Sequence, residues 1–181
     1  LESLLESKEK DIALQKKHLK GSLPQLQMIN NRDTNKPYVK FFEGHQGMLN
    51  CLSEFFSIRK TKEEPMRLVY SQDLLDSLFN KEEKKKFKEI RLKKKIKSKV
   101  IYNYKKTIIP SSQDGERIKV LDDKFPIKSD VAIYNDYFYV VSLGKKLSAV
   151  LIKNKEIAET LKTIFDLAWI GAQAEAEKKK N

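Results

Sequence analysis

Between residues 38 and 104 the hydrophobic period switches repeatedly between two and about 3.6, and this alternation narrows the possible folds more than any other feature of the chain. Tyr38-Val39-Lys40-Phe41-Phe42-Glu43 reads as a strand. After Gly44-His45-Gln46-Gly47 a helix is predicted from about 47 to 57, with Met48, Leu49, Leu52, Phe55 and Phe56 facing inward. Met66 to Tyr70 is a second strand, and a helix or helix pair follows that buries Leu74, Leu75, Leu78, Phe79, Phe87 and Ile90. Val100 to Tyr104 is the third strand. Strand–helix–strand–helix–strand order implies an α/β fold in which these three strands pair in parallel.

The pattern then changes. Residues 105–116 form a polar loop around Pro110-Ser111-Ser112-Gln113-Asp114-Gly115, and a meander is expected beyond it. Its strands are Ile118 to Leu121, Asp130 to Tyr134, Tyr137 to Leu143 and Leu147 to Ile152, with turns at Asn135-Asp136 and Gly144. A last helix runs from about 155 to 170, burying Ile157, Leu161, Ile164, Phe165, Leu167 and Ala168, and the Ala/Glu/Lys tail from Ala172 reads as a frayed continuation.

Ahead of this domain, Leu5, Ile12, Leu19 and Leu26 recur every seven residues, which keeps them on one stripe of a slightly supercoiled helix. Pro24 lacks an N–H and should kink or restart that helix. The expected organisation is a linker and dimerisation helix over 1–31, a regulatory domain over 38–171 and a charged tail over 172–181. A first residue, Leu1, inside the stripe reads as the back part of a longer protein. Leu5, Ile12 and Leu19 are expected to pair with the same row of a second copy; the competing reading folds the helix back onto its own domain.

Charge is concentrated. Residues 81–99 hold eleven Lys or Arg against Glu82, Glu83 and Glu89, within a chain of net charge +12. Such a segment attracts polyanions. Only five of the 37 basic residues are Arg, and Lys suits a solvated surface better than bidentate phosphate recognition. Phe87 is the one aromatic residue there that could stack on a base. Cys51 is the sole cysteine, which excludes an intrachain disulfide and any multi-cysteine metal site and suits a reducing, cytoplasmic setting. No apolar run approaches the roughly 20 residues of a membrane span. Neither histidine, His18 or His45, lies in a His-Glu-x-x-His motif, and no G-x-S-x-G or Walker-type loop occurs. No nucleophile, base and stabiliser converge, so no enzyme activity, cofactor or metal is expected.

One local motif has a ligand-binding rationale. Glu43-Gly44-His45-Gln46-Gly47 joins a predicted strand to a predicted helix, where ligands of open α/β sheets gather. Gly44 and Gly47 would admit a ligand to the backbone, or simply permit a tight turn. Ser71 and Asn103, at the ends of the next two strands, are expected to border the same site.

The same turn resembles the strand–E-G-x-x-G–helix entry to the regulatory half of TrmB-type transcriptional regulators. Lys124-Phe125-Pro126, Asp130 to Tyr134, Ala149 to Ile152 and the helix Ile157 to Trp169, with its Phe-Asp-x-x-Trp ending, follow that family's order and spacing. The resemblance covers roughly residues 20–170. It implies a phospholipase D-like mixed sheet flanked by helices, an effector-sensing and dimerisation role in a prokaryotic homodimer, and operator DNA held by a separate winged helix. It leaves the small-molecule or protein effector unidentified. Longer members carry a sugar-binding subdomain beyond this region, so sugar binding is not expected here. Phospholipase D-type catalysis needs His-x-Lys with an Asp five residues on. His45 is followed by Gln46-Gly47, and His18-Leu19-Lys20 has Gln25 at the acid's position. The rival reading is a non-specific nucleic-acid-binding module built on residues 81–99.

Overall fold

The computed structural model describes residues 8, 38–58, 64–144 and 146–178. The predicted linker helix with Leu5, Ile12 and Leu19, and also His18, lies outside them. The chain divides into two units, Leu1–Lys36 and Pro37–Asn181, and the fold below is that of the second.

In chain order the elements are β1 (Tyr38–Glu43), α1 (Gly44–Ser57), β2 (Met66–Ser71), α2 (Gln72–Leu78), α3 (Lys81–Lys93), β3 (Ser98–Asn103), β4 (Gly115–Lys119), β5 (Ser129–Tyr134), β6 (Tyr137–Ser142), β7 (Ser148–Lys153) and α4 (Lys155–Glu177). The seven strands form one sheet in the order β1-β7-β6-β5-β2-β3-β4. β2, β3 and β4 run parallel, while β1, β7, β6, β5 and β2 pair antiparallel in succession.

Two expectations are corrected here. β1 does not pair with β2. The β5-β6-β7 meander inserts between them, and β1 pairs with β7 at the far edge. The strand near Ile118 is the third parallel strand and not the start of the meander. Both errors have one cause: alternation fixes which face a side chain points to but not which strand lies beside it.

The two faces of the sheet bury different side chains. α1 presents Met48, Cys51, Leu52, Phe55 and Phe56 at helical spacing to one face, against Ala132, Tyr134, Tyr139, Val141, Ala149 and Leu151. α2 and α3 add Leu74, Leu75, Phe79, Phe87 and Ile90 to that core. On the opposite face α4 lays Ala158, Leu161, Phe165, Trp169 and Ala172 on Ile101, Val120, Ile133 and Phe138. Burial of Ala172 and an ion pair from Lys124 to Glu175 at 2.7 Å carry α4 on to Glu177. A bidentate Arg67–Asp166 pair, 3.0 and 2.9 Å, and Lys162–Glu64 at 2.8 Å clip α4 to the start of β2. None of the described helices is long and apolar enough to cross a membrane.

Candidate functional site

The residues singled out in the sequence fall into two separated groups. Ser71 and Asn103 are register partners at the C-terminal ends of β2 and β3, and both are buried. Glu43 ends β1, four interstrand steps from β2, or roughly 19 Å at about 4.8 Å per step. The Gly44 turn is built for the backbone: φ is +70°, and its N–H donates to the Leu147 carbonyl at 2.9 Å. Gly47 is small because a Cβ there would meet the Phe42 carbonyl carbon at 3.2 Å. His45 Nε2 lies 2.9 Å from Glu83 Oε1, while the other Glu83 oxygen accepts from the Asn80 N–H in the capping box that starts α3. The hydrogen bond from His45 holds the Glu83 carboxyl below its ordinary range, with the Asn80 N–H adding to it. His45 thus ties α1 to the start of α3. Gln46 bonds Asn50 one turn on, and Asn103 Nδ2 donates to Asp122 Oδ1 at 2.6 Å.

The Lys-rich segment also divides. Lys94 Nζ donates to the carbonyls of Phe56 and Ile58 and closes the C-terminus of α1. Lys84 pairs with Asp76 at 3.0 Å, and Lys99 lies over the Trp169 ring. Lys81, Lys85, Lys86, Lys88, Lys93, Lys95 and Lys97 are exposed.

One concavity was not singled out in the sequence. A groove of about 550 Å³ lies between the β2-β3-β4 part of the sheet and α1, α2 and α3. Its walls are Leu52 and Phe56 from α1, Leu75, Phe79 and Phe87 from α2, its end and α3, and Leu68 and Val100 from the sheet. None of the seven predicted ligand residues lines it, nor do they line a second cavity of about 440 Å³ near Glu64, Lys97 and Gln113. At the floor stands Asp130, 5% exposed, one of whose oxygens accepts from the Tyr139 hydroxyl at 3.0 Å. The other, Oδ1, has no hydrogen-bond partner among the described residues. Burial pushes its carboxyl up to about 7, against a smaller opposing pull from Tyr139. Arg117 reaches from β4 to donate to the Tyr70 hydroxyl at 2.8 Å, also in the groove. At the rim, burial raises the Asp76 carboxyl, but hydrogen bonds from Lys84 and Gln72 outweigh it and leave the group below its ordinary value.

Among the described residues no group of three or more His, Cys, Asp or Glu could hold a metal ion.

No model of a known protein family matches the sequence, and no curated protein matches it. Solved structures do. The phospholipase D family member Nuc from Salmonella typhimurium is 15% identical over 74% of this chain and 95% of its own, with a TM-score of 0.50. NucT from Helicobacter pylori is 14% identical over 72% of this chain and 94% of its own, with a TM-score of 0.52. TrmBL2, an archaeal chromatin protein whose structure shows a novel mode of DNA binding, gives 12% identity over 94% of this chain and 66% of its own, with a TM-score of 0.47. At such identities the likeness to Nuc and NucT speaks for architecture alone, and by that measure the chain has a phospholipase D-like fold.

Proposed function

We propose that this chain is the effector-sensing and dimerisation part of a TrmB-like prokaryotic transcription regulator, cytoplasmic and without hydrolase activity. The observation that carries the sensing role is Asp130: a buried carboxyl with an unpartnered oxygen at the floor of a groove whose lining mixes apolar side chains with Gln72, Asp76, Lys84, Lys88 and Arg117. A folded chain does not leave such an oxygen unbonded without cost, and a ligand donor would offset that cost. Apolar walls with a few convergent polar groups are the usual composition of a small-molecule site. Binding would act by favouring one arrangement of two copies over another. Operator DNA would be held by a winged helix, and the copies would pair through Leu5, Ile12 and Leu19.

The test compares the protein with a Leu68→Trp variant whose groove is filled. Thermal unfolding against a small-metabolite library should show stabilisation by at least one compound, lost in the variant. Hydrolysis of a generic phosphodiester should stay at the buffer rate. Failure of every compound to shift the melting temperature, or turnover of the phosphodiester, would overturn the reading. For pairing, sedimentation should give a dimer that an Ile12→Asp, Leu19→Asp change converts to a monomer.

The second reading is non-specific nucleic-acid binding by the exposed lysines of α3 and of the turn after it. The observation favouring it is the number of exposed lysines in this short segment, after Lys84 and Lys94 are set aside as structural. Binding of that kind is sequence-independent and weakens steeply with salt. Sequence-specific affinity that survives physiological salt would exclude it.

A further inference from the structure

The face of the sheet that carries α4 is covered over only part of its width. Register aligns Phe41 on β1 with Val150 on β7, Val140 on β6 and Val131 on β5. It also aligns Val39 with Ile152 and Phe138. Residues in register share a face, so both rows lie on the side that α4 covers at Phe138 and Ile133. The core under α4 takes in Phe138 and Ile152 but not Val39, Phe41, Val140 or Val150. Val39 and Phe41 are 55% and 61% exposed, and Val140 is exposed with them. The next row, Glu43, Ser148, Ser142 and Ser129, is polar and ends this apolar shelf.

A ridge of the same character stands beside the shelf. At about 100° per residue, Ile157 and Ile164 share one flank of α4, with Leu167 next to it. Lys162 and Asp166, which bond Glu64 and Arg67 at the start of β2, stand on the opposite flank. β2 borders β5 on the side away from β6, so the flank with Ile157 and Ile164 turns toward β6 and the bare rows. Ile164 and Leu167 are 56% and 65% exposed, although the helix is buried along Ala158, Phe165, Trp169 and Ala172.

The size and chemistry of this surface suit a protein interface. Taken at about 150–200 Å² for a fully exposed residue, the open fractions of Val39, Phe41, Val140, Ile157, Ile164 and Leu167 come to roughly 600 Å², at the upper end of the largest apolar patch on a typical monomer, about 300–600 Å². A standard interface takes about 800 Å² from each partner, so the patch supplies most of one share. None of the shelf or ridge residues is charged, in a chain that is 34% charged, and depletion of charge marks interface cores. Two chains of net charge +12 repel one another elsewhere, and this face sets no lysine against a second copy. Shape points the same way. The ridge of one chain cannot fill its own shelf, because α4 is already seated beside it. A two-fold axis removes that obstacle: each α4 lays its ridge on the other's shelf, as an isologous contact requires. Helices then cover the face more fully, as layered α/β folds do.

We propose that two copies of this chain pack through this face, with Ile157, Ile164 and Leu167 of each set against Phe41, Val140 and Val150 of the other. The inference rests on the dimerisation role proposed above, and adds to the pairing of Leu5, Ile12 and Leu19 a contact made by the sheet and α4.

The experiment is sedimentation of the full chain from about 0.1 to about 100 μM, a range that brackets micromolar association. Wild type is compared with Phe41→Lys on the shelf, Ile164→Lys on the ridge and Ile108→Lys as a control. Ile108, in the loop ahead of β4, is 71% exposed. All three side chains already meet water, so circular dichroism should show an unchanged fold; the two test positions lie on different elements, so either can decide alone. The expected result is a dimer in wild type and in Ile108→Lys, and a Kd at least tenfold higher in Phe41→Lys and in Ile164→Lys, since the two-fold places each lysine in the interface twice. An unchanged Kd in either folded test variant overturns the face contact and leaves the dimer to Leu5, Ile12 and Leu19. An equal rise in Ile108→Lys would reduce the effect to added charge and overturn it as well. A wild-type chain still monomeric at about 100 μM overturns both the contact and the dimerisation role.

Discussion

Replacing Asp130 by Asn should stabilise the protein, and by an amount that depends on pH. In the fold the carboxyl is pushed up to about 7 from an ordinary 3.8, chiefly by burial. Between those values the folded state holds a proton that the unfolded state has lost. Folding stability therefore falls as pH rises through this window and levels off above it. Each unit is worth about 1.4 kcal/mol, so the window spans on the order of 4 kcal/mol. Asn keeps the size and can accept the Tyr139 hydroxyl but carries no charge. Urea unfolding at about pH 5 and about pH 8 gives the clearest comparison, because other titrating groups cancel between wild type and variant. The stability difference should grow in favour of the Asn variant by about 3 kcal/mol between those two values, or several degrees in melting temperature for a chain of this size. A difference that is the same at both pH values, or an Asn variant less stable at about pH 8, would refute the claim that Asp130 is sealed from solvent.

Other expectations follow from single contacts. Cys51 is fully buried and its thiol is pushed up to about 12 by burial, so it should resist alkylation in the native protein and react only at the rate of unfolding. Arg67→Ala removes the bidentate partner of Asp166, whose carboxyl Arg67 holds below its ordinary value; since that carboxylate is partly solvated, chemical denaturation should show a loss of only about 1 kcal/mol, present near neutral pH and fading as acid protonates Asp166. Gly44→Ala forces a side chain into a φ of +70° and should cost about 1–2 kcal/mol in the same assay. A His45→Ala, Glu43→Ala variant decides between the turn and the groove as the ligand site: unchanged affinity for a groove ligand is expected, and lost affinity would return the site to Glu43, Gly44, His45, Gln46 and Gly47.

Much of the element pattern is legible because burial leaves a periodic trace. β1 is found at the predicted Tyr38 to Glu43, and β2, β5, β6 and β7 lie within one or two residues of expectation. Pairing leaves no such trace. β1 could join β2 or β7 with its Phe42 inward either way, and only the completed meander decides. The last helix is amphipathic, as expected, but with a different inward face. Ile157, Ile164 and Leu167 are expected inside and are exposed, while Ala158, Trp169 and Ala172 are buried. Apolar residues occur on more than one side of this helix, so composition alone does not choose between them.

The site is less legible than the fold, and for a physical reason. Sequence reasoning looks for polar residues where chains turn, and it finds Gly44, His45 and Gly47. In the fold the glycines serve the backbone and His45 serves the cap of α3. Asp130 escapes because it sits within an otherwise apolar strand, Ser129 to Tyr134, where a single acid reads as a residue on the solvated face. What gives it meaning is tertiary: α1 packs on that face of the sheet, Tyr139 takes one carboxyl oxygen, and the antiparallel pair with β2 brings Tyr70 alongside. An acid on a strand becomes a candidate ligand group only when a helix closes over it and its second oxygen is left unbonded. Both conditions depend on which strands neighbour β5, the one property that local periodicity does not encode.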